Sequence, residues 1–339
     1  MNRKKKIEKK QICYPADSKT IYTSDLEEDS LNFINSGLAC HALTLLEAAG
    51  ILKILIDKES FPDEEIQAFN NPALLTAAFM TLKKTKLLKE TTEGYQLTKL
   101  GKSIAKKIGY LTFPLIGYRK LFSKQFELLN DPKSFKESDI DFSSVAFSSI
   151  SFGEEHLDPL LIKIFLSLNP KGTICDLGCG TCEKLAKICK ATNSPGLGID
   201  HDKKVIKLSK KYTKKFSNIE AIQGKIEQLD GIWEDVAVIL LSQIFHDLIP
   251  KLHAIEVLAS YKKHFPRLNW VVIADIVSPS NSVPTILPGF DYVHGLQGFI
   301  SRTYEENYEV FEKAGYTVMK EYPVPNMPNF FIWILFPNR

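Results

Sequence analysis

A chain of 339 residues is long enough for two domains, each with a sizeable core. A hydrophobic content of 44% is ordinary for a soluble protein, no uninterrupted apolar stretch reaches the length of a membrane span, and a net charge of +3 is too small to argue for or against nucleic acid. Six cysteines in a chain of this size do not make a secreted disulfide framework, and Arg3-Lys4-Lys5-Lys6 is not followed by a signal-peptide core, so a reducing, cytoplasmic setting is expected, with no membrane association.

The basic start, residues 1–20, reads as a solvated tail. Residues 32–56 carry apolar positions at helical spacing with Gly50 as a stop, Phe61-Pro62-Asp63-Glu64-Glu65 opens a second helix, and Asn71-Pro72 opens a third. Residues 87–98 then alternate around Gly94 as a two-stranded wing. Together these elements predict a mainly helical, winged-helix domain over residues 21–145. A DNA reader carries Arg or Lys along its recognition helix, whereas residues 73–82 are almost wholly apolar, so this face is expected to be buried against protein and no nucleic acid is expected as a partner. A winged-helix regulator that senses a small ligand is the reading from outside enzymology, and salt-dependent binding to duplex DNA is what separates it.

The segment 108–130 contains Gly117-Tyr118-Arg119-Lys120-Leu121-Phe122, which reads as an aromatic, partly cationic helix; the Arg119 guanidinium is either a surface group or a fork for a substrate carboxylate. Residues 131–141 are polar and read as a linker, and a second domain is expected over residues 146–339.

In that domain Ile174-Cys175-Asp176-Leu177 is a buried strand that ends in the turn Gly178-Cys179-Gly180, with a helix opening at Cys182. Gly178 and Gly180 permit positive φ and close approach of a ligand to bare backbone, with the amides at the helix start pointing outward. Asp200 ends the next strand at the distance where a carboxylate accepts both hydroxyls of a ribose. A dinucleotide fold wants a small residue where Glu183 stands, and Asp176 repels a pyrophosphate but suits an ammonium, which points to S-adenosylmethionine. The motif resembles the Asp-x-Gly-x-Gly of class I methyltransferases. Cys175, Cys179 and Cys182 also match the spacing of a radical enzyme's iron–sulfur cluster, but Cys175 lies inside the strand and Cys182 begins the helix.

Further strands follow at residues 219–226, 236–243 and 270–277, then a helix over 302–315 and a closing hairpin over 316–336. The expected fold is α/β: a doubly wound, seven-stranded, Rossmann-like sheet of the methyltransferase type behind the winged-helix domain. The backbone of Lys225 and Ile226 is expected at the adenine, since Lys225 stands where many relatives carry an acid, and Ser242 at the cofactor end of the fourth strand.

Ligands in open α/β sheets bind at the carboxyl ends of the strands, which brings Phe245-His246-Asp247 and the long insertion 278–301, with Tyr292 and His294, to the methyl donor. Two imidazoles and one carboxylate have the composition of a facial triad with open positions. Because adjacent helical side chains diverge by about 100°, His246 and Asp247 must sit at a loop-to-helix junction to converge.

Here the chain resembles, over nearly its whole length, the metal-dependent C-methyltransferases of 2-oxo acids, of the phenylpyruvate C-methyltransferase type. The resemblance implies His246, Asp247 and His294 as ligands of a divalent or trivalent ion, iron- or zinc-like, and a 2-oxo acid as substrate. It also implies a homodimer built through the winged-helix domain. Arg119 or Arg302 would then meet the substrate carboxylate, Arg302 serving otherwise as the start of the following helix, and a metal-bound water or Tyr292 would take the proton. The rival enzyme is a metal-free O-methyltransferase with His246 as general base, Asp247 structural and His294 a bystander.

Overall fold

The computed structural model describes residues 25–283 and 289–338. The basic tail expected over residues 1–20 lies outside them, as do residues 284–288 of the long insertion. The chain forms two compact units that divide between Lys102 and Ser103.

The first unit comprises α1 (Asp25–Ala48), α2 (Ile51–Asp57), a 3-10 turn at Asp63–Ala68, α3 (Pro72–Lys84) and the hairpin β1 (Leu88–Thr91) and β2 (Gly94–Leu97). Gly50 breaks the first two helices at φ 73°, a conformation that costs glycine little. α3 is started by Asn71, whose side chain accepts the Leu74 N–H at 3.1 Å, and by Pro72, which has no N–H to leave unsatisfied. Leu75, Ala78, Phe79 and Leu82 are buried at helical spacing, and the Phe79 ring stacks on Tyr95 at 4.4 Å and on Phe61 at 5.6 Å. The outer face of α3 shows Ala73, Leu74, Ala77 and Met80 to solvent and no cation before Lys83. That face gives a phosphate backbone nothing to bind.

The second unit begins within α4 (Lys99–Ala105). Residues 108–130 do not form one helix. They break into α5 (Gly109–Thr112), a π-turn at Phe113–Gly117, α6 (Arg119–Ser123) and α7 (Gln125–Asn130), because Pro114 supplies no N–H and the backbone widens around it. Gly109 and Gly117 let this segment approach α8 (Phe142–Leu168): a Cβ at Gly117 would stand 2.9 Å from Val145 Cγ2, and one at Gly109 2.5 Å from the Ser148 carbonyl oxygen. α8 starts at Phe142, where Asp141 caps it by accepting the Ser144 N–H. The expected boundary at 145/146 therefore falls inside a helix, and Tyr118, Leu121, Leu128 and Ile140 share an apolar cluster with Val293 and Leu296 of the second unit.

The rest is β3 (Thr173–Leu177), α9 (Glu183–Thr192), β4 (Gly196–Asp200), α10 (Lys203–Thr213), β5 (Ile219–Gln223), β6 (Val236–Ser242), α11 (Lys251–His264), β7 (Trp270–Ile276), α12 (Phe290–Gly295), α13 (Tyr304–Lys313), β8 (Tyr316–Pro323) and β9 (Phe330–Pro337). The seven strands of this sheet run in the order β5-β4-β3-β6-β7-β9-β8, parallel from β5 to β7, with β9 antiparallel to both β7 and β8. All seven residues of β6 are buried, as a central parallel strand covered on both faces requires. One core packs Ile239, Leu241 and Ile273 with α11 and α13, and the other packs Val238, Leu240 and Val272 with α8 and α9. Cys175 belongs to the first core and Cys179 and Cys182 to the second, so the three thiols lie on opposite sides of the sheet and do not converge on a cluster. The winding reverses between β3 and β6, and the crevice at the carboxyl ends of these two strands is the switch point.

Candidate active site

The chain leaves β3 through Gly178 at φ 78° and Gly180 at φ 53°, then enters α9 through Cys182 at φ 64°. Cys182 is a residue with a Cβ in left-handed backbone, strain of about 1–3 kcal/mol that the surrounding packing must hold. The amides of this turn do not all face outward. Gly178 and Cys179 donate to the Ile199 carbonyl at 2.8 and 3.1 Å, and Gly180 donates to Asp200 Oδ2 at 3.1 Å, so the turn is tied to β4. Asp200 Oδ1 accepts the Asp202 N–H at 3.0 Å, which fixes the carboxylate at the strand end. Asp176 is 2% exposed, its Oδ1 has no hydrogen-bond partner, and burial pushes its carboxyl up to about 7. An orphaned buried carboxylate oxygen beside a bare glycine turn fits the ammonium of S-adenosylmethionine. Ser242 lines the same pocket and accepts a hydrogen bond from Lys184 Nζ at 2.5 Å. Ile226 is buried and Lys225 exposed beyond β5.

At the end of β6 a single 3-10 turn, Phe245–Asp247, carries His246 and Asp247. The junction geometry that convergence demands is met there. His294 projects from α12, a short helix that Gly289 opens at φ 74° and that Ser278 anchors by donating to Asp291 Oδ1 at 3.0 Å. His246 Nε2 lies 3.5 Å and His294 Nε2 4.0 Å from Asp247 Oδ1, and the three ligand atoms lie within 4.8 Å of one another. Among the described residues this is the only such group of His, Cys, Asp and Glu.

Each imidazole is turned by a partner on its other nitrogen. His246 Nδ1 lies 2.6 Å from Asp275 Oδ1, and His294 Nδ1 lies 2.7 Å from the Phe290 carbonyl oxygen. Both acceptors take a hydrogen bond from Nδ1, so Nε2 of each ring is the atom turned toward Asp247. Burial, then the charge on His246, push His294 down to about 3. Burial also opposes charge on His246, but Asp247 and Asp275 outweigh it and hold that imidazole at about 9. Two neutral-capable imidazoles and a carboxylate, each imidazole braced from behind, form a donor set that fits a metal ion with positions left for a ligand.

Residues 168–276 match the methyltransferase-domain family. Over 322 residues, 92% of this chain and 96% of the other, the sequence is 29% identical to indolepyruvate C-methyltransferase of Streptomyces griseus. This chain is an S-adenosylmethionine-dependent methyltransferase. The fold is shared with human N-acetylserotonin methyltransferase, solved in complex with S-adenosylmethionine, at a TM-score of 0.71 and 12% identity over 93% of this chain and 99% of that one. It is also shared with an O-methyltransferase family protein of Burkholderia thailandensis, at 0.65 and 13% over 94% and 99%.

Three side chains considered for the substrate are placed as follows. Arg119 is exposed on α6, whereas the neighbouring Tyr118 is 5% exposed, its hydroxyl pushed up by burial first and then by the charge of Asp247. Tyr292 is 58% exposed and donates to Gln125 Oε1 at 2.5 Å, on the outer side of α12, where it is poorly placed to take a proton. Arg302 is buried, and its guanidinium is occupied by the Phe245 and Leu248 carbonyls and by Asn307 Oδ1, so it braces the His246 turn instead of meeting a substrate. Asp275 and Lys184 were not singled out from the sequence. Asp275 sits in an apolar strand run and Lys184 among the lysines of an amphipathic helix, and neither context signals a site.

Proposed function

We propose that this methyltransferase moves the methyl group of S-adenosylmethionine to the carbon next to the keto group of a 2-oxo acid, at a metal ion held by His246, Asp247 and His294. The observation that carries the reading is the pair of Nδ1 contacts, His246 to Asp275 and His294 to Phe290, which turn both Nε2 atoms toward one carboxylate. The likeness to an indolepyruvate C-methyltransferase supports it.

An ion in that position supplies Lewis acidity toward a keto oxygen and so acidifies the adjacent carbon. The protein's part is to hold the acceptor in line with the sulfonium in a dry pocket. The ring centroid of Phe290 lies 4.1 Å from that of His294 and 5.1 Å from that of His246, and those of Phe299 and Phe113 lie 5.3 and 6.5 Å from that of His294, aromatic surroundings that support an aromatic side chain on the substrate. In the transfer, the substrate carbon gives up its proton to a base, the electron pair so released forms the new bond to the methyl group, and the S–CH3 pair stays on sulfur. The products are the methylated 2-oxo acid and S-adenosylhomocysteine.

The enzyme acts as a homodimer in this reading. On α1, Phe33, Ile34 and Leu38 are 81%, 60% and 59% exposed, an apolar stripe that a second copy would cover. Among the described residues no single helix is long and apolar enough to cross a membrane, and the free thiols at Cys40, Cys175, Cys179, Cys182 and Cys189 suit a cytoplasmic setting.

The His246–Asp275 contact also supports the second reading, a metal-free O-methyltransferase with an oriented base. Against it, a group held at about 9 is protonated at neutral pH and accepts no proton, and a second buried imidazole aimed at Asp247 has no task. Elemental analysis with a chelator series decides. The metal reading expects about one bound ion per chain, activity abolished by chelation and restored by metal, and a carbon-methylated product from 2-oxo acids. Full activity after complete metal removal sinks it.

A further inference from the structure

Lys184 stands in the first turn of α9, the positive end of the helix dipole, where a cation is unfavourable unless something compensates it. Its side chain turns into the cofactor pocket and bridges to the end of β6, with Nζ 2.5 Å from Ser242 Oγ and 3.4 Å from Gln243 Oε1. Gln243, like Cys182 across the crevice, is held in left-handed backbone, at φ 60°. The ammonium thus rests on two neutral oxygens.

The same pocket contains carboxylates that do not take it. Asp176 Oδ1 and Asp158 Oδ1 are buried without hydrogen-bond partners. The other oxygen of Asp158 is already bonded by Lys187 Nζ at 2.8 Å, and Lys187 is further engaged by Glu154 at 3.1 Å. A lysine placed only to stabilise the fold would close on the nearest carboxylate, since a charge-assisted pair is stronger than bonds to a hydroxyl and an amide. Here a cation held only by neutral oxygens and two orphaned carboxylate oxygens, that of Asp176 nearest the glycine turn, line one pocket. A zwitterion with an ammonium and a carboxylate on one carbon answers both.

We propose that Lys184 is the carboxylate-binding residue of the cofactor site: its ammonium receives the α-carboxylate of the methionine tail, while Asp176 receives the α-ammonium. The assignment rests on the cofactor site alone and is independent of the metal and of the methyl acceptor. It gives the pocket a charge pattern matched to an amino acid and not to a nucleotide phosphate.

The test is equilibrium binding to the full-length protein, by calorimetry, of three thioethers of adenosine: S-adenosylhomocysteine, its decarboxylated analogue, and 5′-methylthioadenosine, which lacks the tail. The wild type is expected to prefer S-adenosylhomocysteine over the decarboxylated analogue by roughly 10- to 100-fold. Lys184→Met should lose that preference, bind S-adenosylhomocysteine weaker by the same factor, and bind 5′-methylthioadenosine as the wild type does. Lys184→Arg should keep the preference. The proposal is overturned if Lys184→Met weakens all three ligands equally, which would mark a structural role in the loop, or leaves S-adenosylhomocysteine unchanged. Should Lys184→Met not fold, Lys184→Gln takes its place, and a wild type indifferent to the carboxylate overturns the proposal without any variant.

Discussion

One carboxylate holds His246 by both its ring and its backbone: Asp275 Oδ1 lies 2.6 Å from Nδ1, and Asp275 Oδ2 accepts the His246 N–H at 3.0 Å. Burial pushes this carboxyl up, but the imidazole, its hydrogen bond and the Ile276 N–H hold it below the usual aspartate range, so it stays ionised. Asp275→Asn exchanges an acceptor for a group that can equally present an N–H to the ring, which frees the imidazole to adopt the other tautomer. Metal affinity is expected to fall roughly 10- to 100-fold, with activity recovered at higher free metal. Competition with a chelator of known affinity measures this, and an unchanged affinity would count against the role of Asp275 behind a ligand.

His246, held at about 9 by Asp247 and Asp275 against the cost of burial, carries a proton at neutral pH when no ion is bound. A metal ion at Nε2 must displace that proton, while His294, pushed down to about 3, releases none. Binding at neutral pH should therefore release about one proton. Affinity should rise about tenfold per pH unit up to roughly 9 and level off above. For the metal-free protein the sign is opposite: a folded pKa above the unfolded value of about 6.5 gives stability that is fully present below 6.5 and lost as pH rises through 9, on the order of 3 kcal/mol. Calorimetry in buffers of different ionisation enthalpy counts the proton, and urea unfolding across pH 6 to 9.5 tests the second trend.

Phe33 and Ile34 stand 81% and 60% exposed on α1, side chains of a size that soluble monomers seldom leave bare side by side. If a second copy covers them, Phe33→Glu with Ile34→Glu buries two carboxylates at the contact and should convert a dimer to monomers at micromolar concentration. Light scattering after size exclusion reads the mass directly. A wild type of monomer mass, or a variant that stays dimeric, removes this surface from the interface.

The strands and the glycine turn were legible because their signals are local. An apolar run, a carboxylate, two glycines and a helix start follow one another from residue 174 to 188, and the β-order then follows from winding. The pair His246 and Asp247 could be placed because residues past β6 must lie at the crevice, and His294 because the insertion after β7 returns there. What stayed hidden depends on register and distant contact. Asp275 faces His246 only because β6 and β7 pair with Ser242 opposite Ala274, which sets the next residue beside the turn. The break of residues 108–130 at Pro114, and the start of α8 at Phe142, depend on a π-turn and a cap against which helical periodicity is silent.

Arg302 shows the same limit, since its partners Phe245 and Leu248 lie more than fifty positions earlier in the chain. It is 5% exposed, donates through Nη2 to the Phe245 carbonyl at 2.6 Å, through Nη1 to the Leu248 carbonyl and through Nε to Asn307 Oδ1 at 3.0 Å, and lies 4.7 Å over the Phe245 ring. These bonds close both ends of the turn that carries His246 and Asp247. Arg302→Leu would strip two buried carbonyls of their donor and is expected to destabilise the protein by about 3 kcal/mol, read from the urea midpoint. Arg302→Lys should recover only part of this, because one ammonium cannot span three acceptors held in a planar fork. Both variants should also bind metal more weakly than the wild type although Arg302 touches none of the three proposed ligands, since a loosened turn lets His246 and Asp247 diverge. A fully stable Arg302→Leu with unchanged metal content would mean that the turn holds its shape without the guanidinium.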